Sequence, residues 1–163
     1  MFIQKLLSYV RFGLPFLFCL ILIFLSLIPE MNWIFIPLIF IPVFYFAIFH
    51  PTLLNANMVF LLGFVADLMT ELPFGIHSFL FVLLFFIARL NQLFLKDLSF
   101  KSLWILFMVS SGILLLLQSF LFTVFSGAVI PVNFLLFQYI VLILIYPLFF
   151  SFCGYLNKMA EAV

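Results

Sequence analysis

Polar residues along this chain come in short clusters, and apolar runs of helical length separate them. The runs cover 12–28, 34–50, 56–71, 76–95, 102–125 and 134–156. The polar breaks are "PEMNW", "HPTLLN", "TELPFG", "KDLSFK", "SGAVIPVN" and the tail "NKMAEAV". A helix needs about 17–25 apolar residues to cross bilayer hydrocarbon. The pattern therefore predicts an all-α integral membrane protein, with six transmembrane helices forming a single domain over residues 1–163. Runs two and three are the shortest; 16 residues rise only about 24 Å. Run two also carries Pro37 and Pro42, which membrane helices tolerate where neighbours re-satisfy the freed carbonyls. The first run follows Lys5 and Arg11, as a signal peptide would. It is longer than a usual signal core and no small-residue cleavage site follows, so it reads as a retained first helix.

Composition makes the solvent explicit. The chain is 69% hydrophobic and 7% charged, against about half and a quarter for a soluble domain. No soluble core could hide that apolar surface. The 28 phenylalanines read as filler for lipid-facing and interhelical space. Charge then sets orientation. With six crossings, Lys5, Arg11, Lys96, Lys101 and Lys158 share one side, and Glu30 and Glu71 lie on the other. The positive-inside rule places both termini of this multi-pass protein in the cytoplasm. There is no basic stripe for nucleic acid. Cys19 and Cys153 lie inside apolar runs and read as small buried hydrophobes. No metal-ligand cluster and no cofactor motif is present.

Three ionisable residues fall inside predicted spans, where burial is expensive and function is the first question. Arg89 lies in the cytoplasmic half of helix four, about 10 Å from the boundary. Snorkelling or a polar contact within the bundle suits it better than a functional charge. Asp67 ends helix three and His77 begins helix four, so both sit at the extracytoplasmic rim. Arg89 is about 18 Å further along the axis, which argues against an Asp67–Arg89 pair and favours Asp67–His77. Gly63, Asp67 and Glu71 share one face if helix three persists that far. A glycine one turn below an acid lets a neighbouring backbone approach, and its N–H groups could satisfy the carboxylate. Two roles follow. Asp67 and His77 could form a proton relay, or Asp67 could cap the turn or helix four while Pro73 and Gly75 set the turn. The capped hairpin is the commoner arrangement. In helix five, Ser110–Gly112 ("SSG") is a small-residue patch where another backbone could approach, and an ordinary contact within the chain is the simpler use of it.

The order Gly63, Asp67, Pro73, Gly75 and His77 resembles the central signature of the bacterial rod shape-determining MreD family. That signature is of the type G-x-x-x-D, five residues, then P-x-G. Here "GFVADLMTELPFGIHSF" follows the proline-containing "IPVFYFAIFHPTLLN". Chain length, helix count and the near lack of extramembrane mass are similar too. The resemblance implies an S-component-like six-helix bundle, the fold of the substrate-binding subunits of energy-coupling-factor transporters. It implies a non-enzymatic component of the cell-elongation (rod) complex. Such a protein maintains cell shape by binding MreC directly, linking MreB filaments to the peptidoglycan synthases. No cofactor is implied, and membrane lipids surround the bundle.

The alternative is a small-molecule- or lipid-binding membrane component, an S-component-like transporter subunit. Such proteins resemble one another in a small-residue docking pattern on helix one, which "FGLPFLFCLILIFLSLI" lacks. A solute pocket also needs convergent polar groups, and few exist beyond Asp67, His77 and Gln118. An intramembrane enzyme is least favoured, because a lone acid and one His come with no nucleophile at recognisable spacing.

Overall fold

A computed structural model describes residues 16–24, 38–50, 54–70, 74–91 and 99–162, with side chains of the last helix described through Tyr155. Among the described residues the chain is helical, with no strand. The helices are α1 (residues 16–24), α2 (Phe40–Phe49), α3 (Ala56–Met69), α4 (Ile76–Leu90), α5 (Phe100–Ser126) and α6 (Val132–Ala162).

Local chemistry sets boundaries that differ from the apolar runs. α2 begins at Phe40, with Pro42 in its first turn. A proline N lacks the hydrogen that would go unpaired there anyway, whereas its ring clashes with a preceding helical turn. Pro37 lies outside the described residues. α3 stops at Met69 because Thr70 is extended, and its N–H and Oγ1 both donate to Ala66 O, at 3.1 and 3.0 Å. Gly63 and Asp67 share the buried face of α3; Glu71, expected on the same face, lies outside the described residues. α4 stops at Leu90, five residues short of the apolar run. Asn91 Nδ2 donates to Ile87 O at 2.8 Å and closes the last turn. α6 instead runs past the expected end at 156 and carries the tail as helix to Ala162.

α2 is the axis of the bundle. Every residue from Phe40 to Ile48 is buried, and the helix touches α4, α5 and α6. A helix enclosed all round must be apolar all round, which explains the unbroken sequence "FIPVFYFAI". α3 packs mainly on α4, α4 also on α5, and α5 on α6. α1 joins through Phe18, whose ring lies 6.3 Å from Phe149 and 5.3 Å from Phe152 of α6.

Ring contacts fix the vertical register. Phe40 meets Phe81 at 5.7 Å, Phe44 meets Phe107 at 5.4 Å, and Tyr146 stacks on Phe107 at 4.4 Å. Lower down, Phe150 meets Tyr45 and Phe100, each at 5.2 Å.

The outside of the molecule is apolar as well. α5 exposes Ile105, Val109, Ile113, Leu116, Phe120 and Val124 along one face. A soluble monomer rarely shows so continuous a stripe. α5 and the Val132–Tyr155 part of α6 are long and apolar enough to cross a membrane. Both turn most of that length outward, unlike the core helix of a soluble protein. α2, α3 and α4 are shorter apolar helices.

Inside and outside should therefore respond oppositely to truncation. Phe44→Ala, in the aromatic core, should lose about 3–5 kcal/mol, whereas Leu116→Ala, on the outer stripe, should stay within about 0.5 kcal/mol. Denaturant unfolding in detergent micelles measures both.

Candidate functional site

The α3–α4 hairpin gathers most of the buried polar groups of its half of the chain: Asp67, His77 and Ser78. The buried face of α3 is Val59, Leu62, Gly63, Ala66 and Asp67, a helical i, i+3, i+4, i+7, i+8 stripe. Gly63 is its contact point. A Cβ there would lie inside van der Waals distance of Ser78 Cα, and 2.7 Å from Ser78 N. The α4 backbone thus rests directly on the glycine. One turn on, Asp67 reaches the first turn of α4.

Both carboxylate oxygens are engaged. Oδ1 accepts from His77 N at 2.8 Å and from His77 Nδ1 at 3.0 Å. Oδ2 accepts from Gly75 N at 3.0 Å, Ser78 N at 3.2 Å and Ser78 Oγ at 2.8 Å. The first N–H groups of any helix lack intrahelical partners, and the positive end of the helix dipole favours an anion. α4 has no side-chain cap of its own, since its N-cap residue is Gly75. Asp67 supplies that cap from the neighbouring helix. Gly75 sits at φ 98° with no atom near where a Cβ would be. Its requirement is conformational, because a side chain disfavours this left-handed backbone. That turn aims the Gly75 N–H at Asp67.

An ionised carboxylate only accepts, so the Asp67 contact requires the proton on His77 Nδ1. Thr70 Oγ1 lies 3.5 Å from the same nitrogen. The imidazole is buried and packs edge-on against Phe81 at 5.9 Å. With five donors on two oxygens, Asp67 is an anchor within the fold.

The structure brings Gly63, Asp67, Gly75 and His77 together. Pro73, expected in the same hairpin, lies outside the described residues. Arg89 is not part of the site: it is exposed in the last turn of α4, where a cation suits the negative helix end. Sequence reasoning missed Ser78 and Thr70. Ser78 Oγ has no cap position of its own; it counts only because it donates to Asp67 Oδ2.

A second polar seam joins α5 to α6. Ser110 and Ser111 are buried and turn their hydroxyls onto their own helix. Tyr139 Oη donates to Met108 O at 3.1 Å, and its ring lies over Gly112. The "SSG" patch is thus used within the chain. Gln118 is buried above it, and its Oε1 has no hydrogen-bond partner among the described residues. Among the described residues, no group of three or more His, Cys, Asp or Glu could hold a metal ion.

Comparison with known proteins yields no matching family model, no matching curated protein and no matching solved structure.

The cap predicts a graded series. Asp67→Ala strands buried donors and should lose about 3 kcal/mol or more. Asp67→Asn keeps an acceptor and should lose less, and Ser78→Ala, losing one hydrogen bond, should cost about 1 kcal/mol. Thermal unfolding in micelles gives the order. Gly63→Ala should rival Asp67→Ala, because the α4 backbone must move to admit the methyl group.

Proposed function

We propose that this chain is a six-span inner-membrane adaptor with both termini in the cytoplasm. In this reading it serves the cell-elongation complex, binding MreC and linking MreB filaments to peptidoglycan synthases. The apolar exterior and the small polar breaks support residence in lipid. The observation that carries the adaptor reading is the Asp67 carboxylate, whose two oxygens accept five hydrogen bonds within its own hairpin. An acid so engaged suits a rigid scaffold better than a general base, which must reach a substrate proton. The hairpin then presents an ordered outer face, with Phe64 and Leu68 of α3 and Phe79 of α4 exposed. The resemblance of its residue order to the MreD signature points to MreC as the partner.

Photo-crosslinkers at Phe64, Leu68 and Phe79 in native membranes test this. The adaptor reading expects an MreC adduct from at least one of them. Adducts to lipid alone from all three positions would overturn it. A small-molecule- or lipid-binding role has one specific support, the buried Gln118 Oε1, which has no partner among the described residues. Native mass spectrometry of the purified protein would show a stoichiometric ligand if that role holds.

A further inference from the structure

The bundle has two hydrophobic heights. The exposed apolar stripe of α5, from Ile105 to Val124, rises about 29 Å, close to the hydrocarbon core of a bilayer. The stripe of α3, from Phe60 to Met69, rises only about 14 Å, and that of α4, from Phe79 to Leu90, about 17 Å.

The ring contacts locate the mismatch. Phe44 is level with Phe107, and Phe40, one turn earlier in α2, is level with Phe81. Phe81 therefore stands about one turn above Phe107, near Ser111, and His77, a further turn up, stands near Leu115. Counting the other way, Leu90 falls near Ser102, so the lower ends of α4 and α5 are flush. At the upper end, α5 continues from Leu115 to Ser126, about 16 Å beyond the Asp67 cap. Burial agrees with this count: no residue between Gln118 and Gln138 is buried. Among the described residues, the tip of the α5–α6 hairpin stands clear of the bundle and is apolar, exposing Phe120, Phe125, Val129 and Phe137.

A flat bilayer cannot suit both heights. If α5 and α6 span an undisturbed bilayer, the end of α3 and the start of α4 fall deep in hydrocarbon. The last carbonyls of a helix need polar surroundings, and drawing one leaflet inward supplies them.

We propose that the α3–α4 side of the molecule sits in a locally thinned bilayer, with the Asp67 cap at the floor of a polar step beneath the α5–α6 tip. The occupant of that step is lipid headgroup and water. The inference rests on the membrane reading given above.

Nitroxide labels test it in the full chain, reconstituted in dioleoyl phosphatidylcholine vesicles. They are placed singly at Ile113→Cys, Val129→Cys and Phe74→Cys. These side chains are 56%, 73% and 73% exposed, so the changes leave the core intact; Cys19 and Cys153 are fully buried. Collision rates with oxygen report hydrocarbon, and those with a water-soluble nickel chelate report the polar zone. Ile113 should be oxygen-dominated. Phe74 and Val129 should both favour the chelate, with a ratio about tenfold above that of Ile113 if each lies at the edge of the hydrocarbon. An oxygen-dominated Phe74 would mean a flat bilayer and overturn the proposal. Low collision with both reagents at Phe74 would mean a protein partner covers the step, and would also overturn it. A chelate-dominated Ile113 would overturn the membrane reading itself, and with it the step.

Discussion

One carboxylate fixes where two helices meet. Asp67 accepts from the backbone N–H groups of Gly75, His77 and Ser78, which would otherwise be the unpaired start of α4. In water such groups could turn to solvent. Inside an apolar bundle they cannot, and an unpaired donor there is costly. The cap also depends on approach. Gly63 brings the α4 backbone against α3, and without that contact the Asp67 side chain would not span the gap. Glycine, acid and left-handed turn thus act as one unit.

The rest of the bundle is organised around α2, which has no polar face to show. Its rings interlock with those of α4, α5 and α6, and Tyr146 stacks on Phe107 within that cluster. Aromatic pairs of this kind add directional preference to simple burial. They hold helices of unequal length in register. The short α3–α4 hairpin and the long α5–α6 hairpin share one core yet end at different heights on the side of the cap.

Much of this was legible in the sequence. Six apolar runs correspond to six helices among the described residues, and the i, i+4 spacing of Gly63 and Asp67 pointed to a carboxylate meeting a neighbouring backbone. The ends were less legible, because hydropathy reports solvent and not hydrogen bonding. Thr70 and Asn91 stop α3 and α4 through local hydrogen bonds to Ala66 and Ile87, which hydropathy does not record. Beyond 156 the tail is polar yet helical, since backbone hydrogen bonding continues a helix whatever its hydropathy. Ser78 escaped notice because one hydroxyl in an apolar run carries no periodic signal; only the position of Asp67 gives it meaning. Arg89, set apart from Asp67 by the depth count along α4, is exposed in the last turn of that helix.

The most direct measurement is amide hydrogen exchange, resolved at Gly75, His77 and Ser78 in the protein held in micelles. If Asp67 caps α4, all three amides exchange as slowly as those of the α4 interior, and Asp67→Ala releases them while the α5 amides stay protected. Fast exchange at these three positions in the unsubstituted protein would contradict the account, as would protection that survives Asp67→Ala.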